Sequence, residues 1–599
     1  MSSTQLIVLA SPVFFALMAL EWWRGRRRGR PAYRLADAIA SLQLGLLSQT
    51  SAAFTALLRV GLYTLAWQQW ALWRNDAFWH AWYGWALALL LYDLCYYWLH
   101  RMGHEVAVLW AAHAVHHQSQ DYNLSTALRQ TSSGALLGWL FYLPLALAGV
   151  PPLVFVVVGL VDLLYQFWVH TEQVGRLGWF DRWFCSPSNH RVHHAVNDRY
   201  LDKNYGGILI VWDRLFGTFE DEDARAPCVY GTRSPLNSWD PLWANAQVYA
   251  DLARASCQTP RWRDKLRLWW MPPGWQPPGS PPKPAFELAA VRRFDPPMAP
   301  LLRGFAALQF ALLLAGSAAF LWRADSAPLA ENALWFAALL ACQWALAAAT
   351  QARLSMGEAL MLQAGALASA TGALGLVEWH LLCKPAAMIF ALITVASHAR
   401  QSDATGVFRL KSQGWLLAAL AGSLAGDVAL MLPGLFLPGL GSFLLAHLAY
   451  IALFHRGGVR WLASRRALAL ALLAGAAMYA FLWTGGLPAP LRAPVAAYVL
   501  VIALMAAQAW ARYRALGDAA ARRVALGACF FLLSDALLAT NQFVTPLPWA
   551  PLWVLATYYA AQALIVHGML RAAPARRQSQ TRSQSSPPPP CGAATPRWR

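Results

Sequence analysis

Runs of about twenty mostly apolar residues recur along this chain of 599 residues, and they constrain its fold more than any other feature. A helix rises about 1.5 Å per residue, so about twenty residues cross the roughly 30 Å hydrocarbon layer of a bilayer. Hydrophobic residues make up 58% of the chain and charged residues 13%, whereas soluble domains carry about 25% charged residues. The sequence therefore predicts an all-α, polytopic integral membrane protein and excludes collagen, coiled coil and global disorder.

The net charge of +19 has a membrane explanation. Arginines cluster between residues 24 and 34, directly after the first apolar run. Cytoplasmic loops of membrane proteins are rich in positive charge and contact anionic lipid. The sequence has no soluble part with the basic, aromatic-rich surface that is typical of nucleic-acid binding. We therefore expect no nucleic-acid partner. If the arginine cluster lies in the cytoplasm and each following apolar helix crosses the membrane once, the segment after residue 99 returns to the cytoplasmic side. We expect this membrane to be an inner or cell membrane.

Changes in composition after residue 298 and after residue 571, together with the carboxyl-terminal resemblance given below, divide the chain into four predicted parts. Residues 1–298 carry most of the histidines, residues 299–379 add membrane helices, and residues 380–571 form a second helical membrane bundle. Residues 572–599 are polar and proline-rich, cannot bury a core, and are predicted to be a disordered cytoplasmic tail.

A break inside the first part predicts a helical hairpin. The sequence Gly149-Val150-Pro151-Pro152 separates two apolar runs, at 135–148 and 152–169. Proline disrupts a helix interior and restricts the residue before it. The two runs are therefore expected to form separate helices that return the chain to the cytoplasmic side near residue 170.

Histidines are concentrated in one stretch of the chain. Nine of the fifteen lie between residues 100 and 194, where an even spread would place two or three. Spacings of three and four residues put side chains on one helical face, so each group is predicted to aim its imidazoles at one point. A lone histidine is more often a core residue, but this concentration favours metal binding. The predicted ligands are His100 and His104, then His113, His116 and His117, then His190, His193 and His194, with His170 standing alone between the groups.

Eight clustered imidazoles exceed the four ligands of one closed zinc site, which predicts two metal ions. Imidazole alone does not choose between zinc, iron, copper and nickel. The histidines begin at the end of an apolar run, which suits redox attack on the C–H bonds of a lipid in a site kept dry by apolar residues. Nearby polar residues that could accept the imidazole N–H groups are Glu105, Asp121, Asn123, Glu172, Asn189 and Asn204.

The pattern HxxxH, HxxHH and HxxHH between membrane helices resembles the fatty acid hydroxylase and sterol desaturase superfamily of membrane di-iron enzymes. Longer stretches, such as Tyr97–Glu105, Asp121–Gln130 and Asp202–Gly207, are most similar to its alkylglycerol monooxygenase family. That resemblance covers roughly residues 5–375.

This resemblance implies an O2-dependent oxidoreductase that hydroxylates the carbon next to the ether oxygen of alkylglycerols or lyso-ether lipids. The resulting hemiacetal collapses to a fatty aldehyde and a glycerol derivative. The clustered histidines are then implied to hold two iron ions. Tetrahydrobiopterin is the implied electron donor, with Glu105 near the pterin or the metal.

Two aspartates in apolar runs mark the carboxyl-terminal part. Asp427 and Asp535 lie where an ionisable group is costly and is by default a functional candidate. The alternative is an aspartate at the end of a span, satisfied by a helix amino terminus. If the two carboxyl groups faced each other, their pKa values would move apart, so that one could act as an acid and the other as a base.

Together with Lys384 and His447, these aspartates resemble the lysoplasmalogenase family of all-helical membrane hydrolases, over about residues 380–570. The resemblance implies hydrolysis of the vinyl ether bond of lysoplasmalogens, with these four residues in the catalytic site. A carboxylic acid would protonate the vinyl ether carbon and its partner would direct water to the oxocarbenium-like centre.

The leading hypothesis is a bifunctional membrane enzyme that cleaves ether lipids, with a di-iron monooxygenase first and a hydrolase second. An alternative is a di-iron hydroxylase or desaturase of sterols, carotenoids or fatty acyl chains, with a non-catalytic carboxyl-terminal bundle. A third hypothesis is a metal transporter, which would spread its ligands along a path through the membrane instead of clustering them beyond helix ends.

Overall fold

The computed structural model describes residues 3–282, 284–401 and 407–572. Regular structure in these ranges is helical, apart from two isolated β-bridges, which confirms the all-α prediction. The described residues form two compact units, one running to Thr394 and including Pro546–Tyr559, the other made of Val395–Thr545 and the described residues from Ala560. The predicted tail lies outside the described residues from residue 573 onward, and the four-part division stays a prediction.

Twenty-five α-helices follow one another along the described residues. The first fifteen are α1 (Ser3–Arg27), α2 (Leu35–Ala56), α3 (Leu62–Trp70), α4 (Asp76–His80), α5 (Trp82–Glu105), α6 (Ala107–His117), α7 (Leu124–Ala127), α8 (Ala135–Gly138), α9 (Leu143–Ala148), α10 (Pro152–Trp168), α11 (Phe180–Trp183), α12 (Pro187–His193), α13 (Val211–Phe216), α14 (Pro241–Gln258) and α15 (Trp262–Trp270). The remaining ten are α16 (Pro300–Arg323), α17 (Leu329–Thr350), α18 (Met356–Ala373), α19 (Val377–Gln401), α20 (Val407–Ala429), α21 (Phe436–Phe454), α22 (Arg465–Thr484), α23 (Arg492–Leu516), α24 (Ala519–Phe543) and α25 (Ala550–Leu570). One π-helical turn, Leu57–Gly61, joins α2 to α3, and 3₁₀ turns lie at Trp139–Tyr142, Leu288–Ala290 and Ala489–Leu491.

Among the described residues, nine helices are long and apolar enough to cross a membrane. These are α1, α16, α17, α19 and α21 to α25. The protein is therefore an integral membrane protein. Helices α2 and α5 lie between the arginine cluster and the segment predicted to be cytoplasmic, but they are not among the nine.

The predicted hairpin is present. Its arms are the apolar helices Ala135–Ala148 and Pro152–Trp168, and the chain turns at Gly149, whose φ is +92°. A Cβ atom at this position would lie 1.8 Å from the carbonyl oxygen of Trp73. Both the left-handed backbone and the close approach therefore require glycine here.

Several short helices and loops of the first unit gather at the ends of α5, α6 and α10. Helix α5 packs against α6 and α10. Asp93 on α5 fixes the loop that leads into α13, because its carboxylate accepts hydrogen bonds from the backbone N–H groups of Ile208 (2.7 Å) and Leu209 (3.1 Å) and from Nε1 of Trp212 (2.8 Å). Helix α12 begins at an N-cap serine, Ser186, whose hydroxyl accepts from the backbone N–H three residues later.

Candidate metal centre

All nine predicted histidines of the first unit converge on two neighbouring positions. In each group, one nitrogen of every imidazole lies within 4.8 Å of the corresponding nitrogen of every other member. Eight of the nine side chains are buried and His113 is half-buried. The five-histidine group consists of His100, His104, His113, His117 and His193, and the four-histidine group consists of His116, His170, His190 and His194.

The three sequence motifs do not each aim at one point, so that expectation is wrong. On α6, His113 and His117 belong to the five-histidine group, whereas His116 belongs to the other. Successive helical residues differ by about 100° around the axis, so adjacent histidines point apart while residues four apart share a face. The motif on α12 divides in the same way, with His193 in one group and His194 in the other.

His170, which stands alone in the sequence, is an integral member of the four-histidine group. It follows the end of α10, and its Nδ1 faces the backbone carbonyl of Gln166 at 2.8 Å. Its Nε2 lies 3.2 Å from Nε2 of His116 and 3.1 Å from Nε2 of His190. The isolated position of His170 in the sequence therefore gives no indication of its central place in the fold.

The orientation of the rings shows which nitrogens are available for a metal. Nδ1 of His116 lies 3.0 Å from the carbonyl oxygen of Arg129, and Nδ1 of His170 faces a carbonyl as well. A carbonyl can only accept, so in the neutral imidazole both Nδ1 atoms carry the proton and both Nε2 atoms carry a lone pair. These two lone pairs face each other at 3.2 Å, an arrangement that repels unless a cation lies between them.

Burial keeps these imidazoles neutral. It lowers the pKa of His116 to about 4 and lowers the pKa of His170 well below its usual value. Burial also lowers the pKa of His190, His193 and His194, and neighbouring histidines add to the effect. The neutral imidazole is the form that binds metal ions.

The spacing of the nitrogens fits a bound metal ion. In the five-histidine group, Nε2 of His113 lies 3.1 Å from Nε2 of His100 and 3.0 Å from Nε2 of His117, which is 3.1 Å from Nε2 of His193. Two nitrogens bound to one ion at about 2.0–2.1 Å lie about 3.0–3.4 Å apart. The buried Nε2 of His104 has no hydrogen-bond partner among the described residues, as a nitrogen reserved for a ligand would have none.

The atoms that orient the imidazoles are mainly backbone carbonyls. Nδ1 of His100 faces the carbonyl of Tyr205 at 2.7 Å, and Nδ1 of His193 faces that of Lys203 at 3.0 Å. His104 is held by a carboxylate, because its Nδ1 lies 3.2 Å from Oδ1 of Asp202. Asp202 was not a sequence candidate, and backbone carbonyls leave no signal in a sequence.

The six polar residues expected to orient the imidazoles have other partners. Glu105 pairs with Nε of Arg101 at 2.8 Å and is outside both histidine groups. Asn123 caps α7. In the described part of the chain, none of the six is hydrogen-bonded to an imidazole. Asp121 binds Arg34, Glu172 accepts from Tyr230, Asn189 donates to the carbonyls of Asp181 and Phe184, and Asn204 donates to those of Asn189 and Glu220.

The four carboxyl-terminal candidates are divided between the two units. In the second unit, His447 on α21 is fully buried, with its Nε2 2.9 Å from the hydroxyl of Tyr498 on α23. That hydroxyl donates to Oδ2 of Asp535 on α24 at 2.6 Å. Asp427 is buried on α20, which packs against α21.

Lys384 belongs to the first unit. It is buried on α19, and its carbonyl oxygen accepts a hydrogen bond of 3.0 Å from the hydroxyl of Tyr559. Tyr498, by contrast, was missed by sequence reasoning, because it lies in an apolar run with no polar neighbour to mark it.

Comparison with known proteins gives separate matches for the two parts of the chain. The fatty acid hydroxylase family model matches residues 85–218, which contain all nine histidines. The YhhN family model matches residues 379–569. No solved structure gives a significant match.

Characterised relatives follow the same division. Alkylglycerol monooxygenase of Homo sapiens is 39% identical over 318 residues, which cover 51% of this chain and 69% of that protein. The Danio rerio alkylglycerol monooxygenase is 38% identical over 314 residues, covering 51% of this chain and 68% of its own length. Lysoplasmalogenase TMEM86B of Sus scrofa is 36% identical over 174 residues, covering 29% of this chain and 70% of that protein. The chain therefore belongs to the alkylglycerol monooxygenase family through its amino-terminal half and to the lysoplasmalogenase family through its carboxyl-terminal part.

Proposed function

We propose that the protein is a bifunctional membrane enzyme that cleaves ether lipids. The amino-terminal half would be a di-iron monooxygenase of alkylglycerols and lyso-ether lipids that releases a fatty aldehyde. The carboxyl-terminal part would hydrolyse the vinyl ether bond of lysoplasmalogens to the same class of product. The observation that carries the first activity is the convergence of nine imidazoles on two adjacent positions.

The nine histidines would hold two iron ions, one in each group. Iron ions held there would supply the activation of O2 that is needed to hydroxylate the carbon next to the ether oxygen. The protein's own contribution is to keep the imidazoles neutral by burial, to fix their rings through carbonyl acceptors, and to keep water from the centre. Tetrahydrobiopterin would supply electrons, with Glu105 at the carboxyl end of α5 beside it.

The proposed position of the centre follows the positive-inside rule. The histidine groups would face the cytoplasm, and the chain of the lipid would reach them from the bilayer. The substrate class is proposed from the names of the relatives, alkylglycerol monooxygenase and lysoplasmalogenase.

A metal and product assay tests the oxygenase. We expect about two irons per chain and O2-dependent release of aldehyde from a labelled alkylglycerol, stimulated by tetrahydrobiopterin. His116→Ala should lose this oxidation, whereas His80→Ala, an exposed histidine on α4 outside both groups, should retain it. Exchangeable zinc with no O2 consumption would instead support metal transport, and oxidation of sterols or fatty acyl chains alone would support the alternative hydroxylase.

For the hydrolase, Asp427 and Asp535 would form the acid and base pair in the second unit, with His447 as a further catalytic residue there, while the catalytic role of Lys384 rests on the family resemblance alone. The supporting observation is that His447 and Asp535 meet within the second unit, 3.5 Å apart from Nε2 to Oδ2. Asp427→Asn and Asp535→Asn should each abolish aldehyde release from a labelled lysoplasmalogen and leave alkylglycerol oxidation unchanged. Unchanged hydrolysis in both variants would exclude the carboxylate mechanism.

A further inference from the structure

A three-residue hydrogen-bond chain lies in the second unit. Tyr498 stands between His447 and Asp535, with its hydroxyl 2.9 Å from Nε2 of His447 and 2.6 Å from Oδ2 of Asp535. The direct separation of His447 and Asp535 is 3.5 Å, longer than an ordinary hydrogen bond. The hydroxyl of Tyr498 therefore bridges His447 and Asp535 through two hydrogen bonds.

The donors and acceptors in this chain can be assigned. A separation of 2.6 Å between a hydroxyl and a carboxylate is in the range of charge-assisted hydrogen bonds, so Tyr498 gives its only proton to Asp535. The tyrosine oxygen can then only accept from His447, and the proton of the neutral imidazole must be on Nε2. This leaves a lone pair on Nδ1 of His447.

The free nitrogen of His447 is buried and unpaired. His447 is fully buried, and its Nδ1 has no hydrogen-bond partner among the described residues. A buried polar atom without a partner is unfavourable, and in a native protein it calls for a ligand or an ordered water. The ring of Phe531 packs on the imidazole with ring centroids 4.7 Å apart, so one side of this position is apolar.

We infer that Tyr498 is a positioning residue of the hydrolase, which fixes the tautomer of His447 and links it to Asp535 so that Nδ1 of His447 acts as the base toward water. The inference rests on the proposed lysoplasmalogen hydrolysis and refines the part of Asp535, which acts through Tyr498 instead of touching the substrate. The same arrangement, an acidic residue holding an imidazole in one tautomer, is a general way to prepare a base.

The atoms of the reaction balance without an oxidant or reductant. A carboxylic acid, Asp427 in the proposed function, protonates the β-carbon of the vinyl ether. The oxygen of water then bonds to the α-carbon while Nδ1 of His447 takes one of its protons. When the hemiacetal C–O bond breaks, the leaving alcohol oxygen takes the proton from His447 and the new hydroxyl returns its proton to the acid. One water is consumed, and one alcohol and one aldehyde form.

The test compares Tyr498→Phe with Tyr450→Phe in the full-length protein, using a labelled lysoplasmalogen. Tyr450 is a matched control, because it is fully buried on α21 and its hydroxyl also donates a hydrogen bond, to Oε1 of Gln562 at 2.5 Å. We expect Tyr498→Phe to lower kcat by about 100-fold with KM unchanged, the size of a general acid–base contribution. Tyr450→Phe should change kcat by less than about 3-fold.

A double-variant cycle separates a catalytic link from a local packing effect. His447→Gln should abolish most of the hydrolysis, and adding Tyr498→Phe to it should cause no further loss, because the two residues act as one unit. If Tyr498→Phe does not fold, as judged by its thermal unfolding midpoint, the same cycle is run with Asp535→Asn, which keeps the size of the side chain.

The outcomes distinguish the inference from the function on which it rests. Wild-type protein without any lysoplasmalogen hydrolysis would overturn both. Wild-type activity with equal kcat values for Tyr498→Phe and Tyr450→Phe, or losses that multiply in the double variant, would overturn the role of Tyr498 alone.

Discussion

Replacing Gly207 with alanine should damage both the stability of the first unit and its metal centre. A Cβ atom on Gly207 would lie 2.8 Å from Oδ1 of Asp162, 2.8 Å from Cδ1 of Tyr96 and 2.9 Å from Oδ1 of Asp93. Non-bonded atoms are most favourably about 3.5–4.0 Å apart. The loop would therefore have to move by about half an ångström or more from three neighbours at once.

The magnitude follows from the contacts that such a movement breaks. Extra methyl groups in a packed interior cost about 1–3 kcal/mol. The carboxylate of Asp93 holds the backbone N–H groups of Ile208 and Leu209 directly after Gly207, and loss of one hydrogen bond to a charged group costs about 1.5–3 kcal/mol. The cost of crowding and the cost of a lost hydrogen bond are of similar size, so Gly207→Ala should lower the free energy of unfolding by about 1–3 kcal/mol.

The same movement reaches the histidines. Tyr205, two residues before Gly207, supplies the carbonyl that orients His100, and Lys203 supplies the one that orients His193. Loss of an outer partner of a metal ligand typically costs about 10–100-fold in metal affinity. We therefore expect Gly207→Ala to retain less iron than the wild type after dialysis.

Denaturant titration in detergent and iron analysis measure the two effects. Gly175→Ala is the control, because a Cβ there would meet nothing within 4 Å and its backbone is outside the left-handed region. It should leave the free energy of unfolding equal to the wild type or slightly higher. Equal stability and equal iron content in Gly207→Ala and Gly175→Ala would refute the reasoning.

Three further predictions concern the metal centre and its surroundings. His170→Ala should lower bound iron from about two per chain to about one, measured by metal analysis, because the five-histidine group remains complete; unchanged iron would remove His170 from the ligand set. Removing the metal with a chelator should lower the free energy of unfolding by about 2.7 kcal/mol for each ion that was present at 100 times its Kd, and an unchanged thermal unfolding midpoint would contradict a structural contribution of the metal. For Glu222, burial opposes ionisation, but hydrogen bonds and charge from Arg191 outweigh it and hold the pKa below its ordinary value of 4.5. Stability from this carboxylate is therefore present above pH 4.5 and lost as the pH falls through the lowered pKa, so Glu222→Gln should weaken the acid dependence of the unfolding free energy below pH 4.5.

The membrane helices could be predicted because their cause is local. The apolar runs of α16, α17, α19 and α21 to α25 are each long enough to form a helix in the bilayer by themselves, and the break at Gly149 to Pro152 depends on backbone restrictions of those residues. The gathering of the histidines was also predictable from their spacing. Their assignment as ligands, like that of Asp427, Asp535, His447 and Lys384, stays a prediction.

What the sequence could not give depends on contacts between distant segments. Spacing within one helix separates His116 from His117 and His193 from His194, but which histidines of different helices form a common group depends on how α6 and α12 are rotated relative to α5 and α10. His170 and Tyr498 gain their positions only when separate helices meet. Asp202 reaches His104 across 98 positions of the chain, and its backbone is left-handed with φ of +57°.

Main-chain oxygens from residues 129, 166, 203 and 205 hold four of the imidazole rings. Every amino acid has this atom, so exchange of side chains at those four positions does not remove the acceptor. Relatives could therefore vary there and still assemble the same centre, provided that the backbone keeps its course. Insertions and deletions near these positions would move the carbonyl oxygens away from the imidazoles, so they should disturb the centre more than point substitutions do.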